Sequence, residues 1–142
     1  MKNHRIEKKF VLGKFKEDYL SKFLISNGFT KQFPERKISS IYLDTNNYDF
    51  ARDNINGVSQ RKKIRFRWYN DDDTQIFIEE KNKNNFFVWK NVEKIELEKS
   101  KNQLISKLKE YFFSKNIKYM NNFNYKFIFK KNYKRNYWIS HD

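Results

Sequence analysis

Residues Arg61–Tyr69 read R-K-K-I-R-F-R-W-Y, and this stretch decides the fold class. Side chains of a β-strand alternate between two faces. Arg61, Lys63, Arg65, Arg67 and Tyr69 therefore share one face, and Lys62, Ile64, Phe66 and Trp68 share the other. The first face is a row of cations and the second is largely apolar. Cations two residues apart on a strand lie about 7 Å apart and repel by about 2.4 kcal/mol at an effective dielectric of 20, and by far less in salt water. Such a row is tolerated on an open surface, or where a polyanion neutralises it. Read alone, this strand leaves both possibilities standing.

The neighbouring segments extend the pattern. Asn70-Asp71-Asp72-Asp73 reads as a polar turn, and Thr74–Lys83 returns as a strand. Ile76 and Ile78 lie on one of its faces; Glu79, Lys81 and Lys83 lie on the other. The two strands form a hairpin. The ordinary reading of Glu79 is cross-strand pairing with the basic row, but one carboxylate does not neutralise the hairpin's cations. Asn84-Asn85 turns again, and Phe86–Leu97 reads as a third strand. Its parity stays open, because Lys90 shares a face with Val88 and Val92.

Upstream, His4–Leu12 reads as a strand with Arg5, Glu7 and Lys9 on one face and Ile6, Phe10 and Leu12 on the other. Residues 16–27 carry apolar side chains at helical spacing, ended by Gly28. Lys37–Leu43 is a short strand, and Asn46–Asn54 a short helix or turn followed by the turn signal Asn56-Gly57. Ser100–Lys115 is a helix with Ser100 as its N-cap. Tyr125–Trp138 is the last strand, with Phe127, Phe129, Tyr133, Arg135 and Tyr137 on one face. The whole reads as α+β: an antiparallel sheet of five or six strands with two main helices, one domain over residues 1–142.

Composition narrows the function. Lys and Arg total 31 against 17 Asp and Glu, a net charge of +14, which calls for an anionic partner: nucleic acid, a membrane surface or a phosphate compound. Aromatic residues make up 19% of the chain, so there is a core to bury and this is no disordered basic tail. Cysteine is absent, which excludes disulfides and thiolate metal sites and agrees with a cytoplasmic setting. Residues 1–10 show no signal peptide, and no run approaches the ~18 apolar residues that span a bilayer.

The remaining chemistry is sparse. A carboxylate among cations, as Glu7 is between Arg5 and Lys9, suits a Mg²⁺ or Mn²⁺ ion that bridges a carboxylate and a phosphate oxygen; the ordinary reading is a surface strand of alternating charge. His4 and His141 have no metal-ligand spacing. Asp71, Asp72 and Asp73 are a turn rather than a calcium loop. There is no phosphate-binding glycine loop and no nucleophilic triad. Tyr42 and Asp44 follow an apolar strand and read as structural.

Together these segments resemble the VTC domain, the polyphosphate polymerase domain of the CYTH-like triphosphate tunnel superfamily. The resemblance is carried by R-I-E-K-K-F (Arg5–Phe10), S-I-Y-L-D-T (Ser40–Thr45), K-I-R-F-R-W-Y (Lys63–Tyr69), I-F-I-E-E-K (Ile76–Lys81), V-W-K (Val88–Lys90) and Y-K-R-N-Y (Tyr133–Tyr137), in family order. It implies an antiparallel β-barrel around a charged tunnel, with cationic faces inward and apolar faces packed against flanking helices. It further implies binding of ATP and polyphosphate, and metal-assisted transfer of the terminal phosphate of ATP to a growing chain. By position, Lys9, Arg65, Arg67, Lys81, Lys90 and Arg135 look like phosphate ligands, with Arg61 and Lys63 as further ones. Arg65, Arg67 and Lys81 are the candidates closest to the chemistry. Glu7 and Glu79 are the candidate ligands of Mn²⁺ or Mg²⁺. The family domain continues past the Y-x-R strand with strands that close the tunnel. The barrel is therefore expected to be incomplete at the C-terminus, or completed by a partner chain.

Two other functions compete. A hydrolase of the same fold, cleaving inorganic triphosphate, uses nearly the same residues with water as acceptor. A module binding RNA or single-stranded DNA needs aromatics beside the cations for stacking. Phe66 and Trp68 lie on the opposite face and only Tyr69 shares it, so no nucleic acid is expected. Replacing Arg65 and Arg67 with Ala is expected to abolish triphosphate binding and leave the fold intact.

Overall fold

The structure is a computed structural model, and it describes residues 8–13, 17–99, 103–114 and 125–140. The element order is α1 (Glu17–Ser26), β1 (Thr30–Thr45), α2 (Asp49–Ile55), β2 (Gln60–Tyr69), β3 (Asp72–Asn84), β4 (Phe87–Glu96), α3 (Leu104–Ser114) and β5 (Tyr125–Ile139). The strands form one five-stranded sheet in the order β4-β3-β2-β1-β5. Pairing is antiparallel from β1 through β4. Among the described residues the sheet is open, with β4 and β5 at its edges; it does not close into the expected barrel. The chain divides into two compact units, Arg36–Arg135 and Met1–Glu35 with Asn136–Asp142.

In the larger unit, the core forms on one face of the sheet. Ile41 and Leu43 of β1, Ile64, Phe66 and Trp68 of β2, Ile76 and Ile78 of β3, and Ile95 of β4 are buried there, with Leu108 of α3 and Tyr125 of β5. Leu104 and Phe112 add to the cover from α3, and Phe66 meets the Phe112 ring edge-on at 6.3 Å. Ile64, Phe66 and Trp68 of β2 and Ile76 and Ile78 of β3 are the alternate positions expected from the sequence, and burying a side chain such as Phe66 is worth about 1.5–3 kcal/mol. The polar members of this face are paired: Glu80 is buried, bridged by Lys62 at 2.7 Å and bonded by Asn91 Nδ2 at 2.9 Å. Burial raises the Glu80 pKa, but the Lys62 and Asn91 bonds outweigh it and leave the carboxyl below its ordinary value.

The β2–β3 turn sets the register in two steps. Asn70 and Asp71 both have positive φ, 53° and 59°, as a two-residue hairpin turn requires. This turn pairs Tyr69 with Asp72. Continued unchanged, that ladder would oppose Lys63 to Ile78, setting cations against the core. A register shift between Arg67 and Tyr69 instead pairs Arg67 with Phe77 and Lys63 with Lys81. The bulge sets the charged face of β2 beside the face of β3 that carries Glu79, Lys81 and Lys83.

Helix α2 is held by Asp44. Its Oδ1 accepts from the backbone N–H groups of Thr45 at 2.8 Å and Phe50 at 2.9 Å, and its Oδ2 from Ala51 at 2.9 Å. The residue preceding α2, Tyr48, is left-handed and gives no side-chain cap, so Asp44 satisfies the open N–H groups from one strand end away.

Several expectations need correction. The strand expected at residues 4–12 does not form in its described part: residues 8–13 have no regular structure, and Phe10, Val11 and Leu12 are exposed. Val11 between two apolar neighbours breaks the alternation a strand face needs. Residues 4–7 lie outside the described residues, as do Ser100 and His141. The short strand expected at Lys37–Leu43 is longer, running from Thr30 to Thr45 through Pro34. Strand β5 does not keep one face: Phe127 packs on Phe66 at 5.8 Å, whereas Phe129 stacks on Tyr42 at 4.8 Å, on the opposite face of the sheet.

In the smaller unit, α1 buries no side chain, and Gly28, two residues past its end, has a φ of 78° that suits a helix-terminating glycine. Phe33 meets Tyr137 edge-on at 5.7 Å, and Lys31 lies 5.6 Å from the Trp138 ring. Among the described residues, no helix is long and apolar enough to cross a membrane.

Candidate functional site

The second face of the sheet in the larger unit carries the charge. Directly opposed residues of antiparallel strands share a face, so the register builds this surface row by row. Lys63 opposes Lys81, and Lys81 opposes Lys90. Arg61 opposes Lys83 in the next row out. Tyr42 opposes Arg65, which opposes Glu79, and Ser40 opposes Arg67, which opposes Phe77. Val88, Lys90 and Val92 do share a face, and it is this one.

Glu79 organises the centre. It is buried, with its side chain 5% exposed. Arg65 Nε donates to Oε2 at 2.6 Å, Lys90 Nζ to Oε1 at 2.5 Å, and Arg67 reaches Oε1 from 3.4 Å. Burial acts to raise the Glu79 pKa, but the Lys90 hydrogen bond and the Arg65 and Arg67 charges prevail and hold it below its ordinary value. For Arg65, burial acts to lower the pKa, and Glu79 with Tyr42 reverses this to a net rise. Arg65 also donates to Tyr42 Oη at 3.0 Å. The centre is thus a carboxylate shared among three cations and leaves net positive charge.

Lys63 and Lys81 stand in a different state. Neither makes an ion pair or hydrogen bond among the described residues, and both are exposed. Arg61 is half-buried, with its guanidinium donating to the Val58 carbonyl at 3.3 Å. Beside Lys63 opens an apolar cavity of 240 Å³, lined by Tyr42, Phe50, Ile55 and Phe129 among others.

The expected site residues therefore separate. Arg61, Lys63, Arg65, Arg67, Lys81, Lys90 and Glu79 are brought onto one face of three adjacent strands. Arg135 lies on β5, beyond β1, where its guanidinium bonds Tyr133 Oη at 3.1 Å. Lys9 is exposed in the smaller unit, outside any strand. Glu7 lies outside the described residues.

A divalent cation held by the protein alone does not fit the described residues. No three of His, Cys, Asp and Glu converge among them. Both oxygens of Glu79 already accept from cations.

Two features escaped the sequence reading. Tyr42 and Phe77 lie on the cationic face, brought there by the strands on either side of β2, so aromatics do share it. Ser40 stands directly opposite Arg67. No signal within the basic strand itself could reveal either, because cross-strand partners follow from register.

The sequence pattern of one family, the VTC domain, matches residues 4–141. No curated protein matches the chain.

Proposed function

The chain belongs to the VTC domain family, and from that premise we propose that its cationic sheet face binds the phosphates of ATP and polyphosphate and supports phosphoryl transfer between them. A terminal oxygen of the polyphosphate chain attacks the γ-phosphorus of ATP. The bond from that phosphorus to the β–γ bridging oxygen breaks, leaving ADP and a chain one phosphate longer. Protein side chains make no covalent bond in this scheme; they position the reactants and offset charge.

The observation that carries this reading is the row Lys63–Lys81–Lys90 across β2, β3 and β4. Like charges directly opposite destabilise a sheet, and Lys63 and Lys81 have no counter-charge among the described residues. A polyanion lying across the strands supplies one. Arg65 and Arg67 flank the row with donors suited to phosphate oxygens. The apolar cavity beside Lys63 offers the nucleoside of ATP a place next to the phosphate row.

A Mn²⁺ or Mg²⁺ ion would add positive charge to offset that of the transferring phosphoryl group, while Glu79 stays committed to Arg65, Arg67 and Lys90. Closure into a tunnel also belongs to the proposal. Closure would have to pair the edge strands β4 and β5.

The test is incubation of the protein with ATP and Mn²⁺, with products resolved on a gel stained for polyphosphate and free phosphate assayed in parallel. Long chains that disappear in the Lys63→Ala, Lys81→Ala double variant support the reading. Free phosphate without chains moves the assignment to a hydrolase. Absence of both products, with no binding of tripolyphosphate, overturns it.

A further inference from the structure

On β1 and β2, Ser40 and Arg67 are direct cross-strand partners, so their side chains start on the same face about 5 Å apart. Both are deeply buried: Ser40 is 1% exposed, and the Arg67 side chain 8%. Ser40 Oγ and Arg67 Nε nonetheless have no hydrogen-bond partner among the described residues. Leaving one buried donor unpaired costs about 1–3 kcal/mol, and two adjacent ones on a cationic surface mark a place built for a missing acceptor.

Exposure along β2 gives this place a direction. Lys63 is exposed, the Arg65 side chain is 23% exposed and that of Arg67 is 8% exposed. The cationic face thus runs from open to closed. Past Arg67 it ends against apolar groups: Ile38, fully buried, opposes Tyr69, and Tyr69 meets Phe77 edge-on at 5.8 Å. On β2 Arg67 is the last cation of this face, because Tyr69 follows it, so an anionic chain entering over the lysines of β2 brings its end group to Ser40 and Arg67.

We propose that Ser40 and Arg67 form the inner end of the phosphate site, where Ser40 Oγ and Arg67 Nε hold the oxygens of a terminal phosphate group. A terminal group offers three non-bridging oxygens, and an internal one only two. The seryl hydroxyl donates without adding charge, and the Arg67 charge is already shared with Glu79. The pair therefore reads geometry more than charge. This inference rests on the phosphate-binding reading given above.

Calorimetric titration with linear tripolyphosphate and cyclic trimetaphosphate, which has no end group, tests it. The wild type is expected to bind the linear compound more tightly. Ser40→Ala is expected to weaken linear binding about tenfold, the loss of one hydrogen bond to a charged group, and to leave cyclic binding unchanged. Without ligand, its melting temperature should equal or exceed the wild-type value, because an unsatisfied hydroxyl is removed. Ser40→Cys, nearly isosteric and a weak donor, should show the same selective loss and guards against a packing artefact. Unchanged linear affinity in both variants, or equal weakening of both compounds, overturns the inference alone. A wild type that binds neither compound, or a Lys63→Ala, Lys81→Ala variant that binds both normally, overturns the parent reading and this inference with it.

Discussion

Lys63 and Lys81 face each other across β2 and β3, and neither has an acidic partner among the described residues. Their mutual repulsion is a standing cost of the free protein, relieved by whatever anion lies over them. Lys81→Gln should therefore stabilise the free protein by a few tenths of a kcal/mol, up to about 1. The same change should weaken tripolyphosphate binding and flatten its salt dependence. Thermal melts with and without ligand check both. A variant less stable than wild type and unaltered in binding refutes the role given to this pair.

Glu79 is the counter-charge on which Arg65, Arg67 and Lys90 converge. Glu79→Gln should destabilise the free protein by about 3 kcal/mol, because cations are left without their carboxylate in a buried setting. Tripolyphosphate should restore more of that loss than it adds to the wild type. Urea melts at several ligand concentrations provide the measurement. The same geometry revises an expectation from sequence. The Arg65→Ala, Arg67→Ala double variant would strip two partners from buried Glu79, so it should lose stability as well as binding. Lys63 and Lys81 are the cleaner positions for testing the site.

Acid should unfold the protein through these carboxylates. Glu79 and Glu80 have folded-state pKa values below their ordinary one. For a depressed carboxylate, the stability contribution is fully present above the unfolded pKa, about 4.3, and is lost as pH falls through the lower folded value. The melting temperature should hold down to about pH 5 and drop below about pH 4. Glu80→Gln should drop less steeply in that window. Parallel acid profiles would contradict the assignment.

Asp44 accepts from the backbone N–H groups of Phe50 and Ala51 in the first turn of α2, and from that of Thr45 at the end of β1. Asp44→Ala should cost about 1–2 kcal/mol, as for loss of a helix cap, and leave tripolyphosphate affinity unchanged. Phe66→Ala, at the centre of the core, should cost about 3–5 kcal/mol. Chemical denaturation and titration of the first variant separate its structural role from any part in binding.

Much of the sheet was legible because alternation is a local property. Ile64, Phe66 and Trp68 against Arg65 and Arg67 settle which face of β2 is buried, whatever their partners are. The same rule placed Ile76 and Ile78 in the core and Glu79 with Lys81 outside it. It failed at residues 8–13, where the apolar residues are consecutive, and on β5, where Phe127 and Phe129 contact opposite faces. An edge strand has only one neighbour to hold its parity.

Sequence by itself determined the excess of positive charge, the amphipathic strands and the residues that resemble the VTC domain. These follow from residue type and a period of two along one chain. Tertiary structure alone decided which charges meet. The shift between Arg67 and Tyr69 sets Lys63 against Lys81 and Arg65 against Glu79, and β1 brings Ser40 to Arg67. Neighbours across strands are fixed by register, and register depends on turns, bulges and packing over the whole sheet rather than on any one strand.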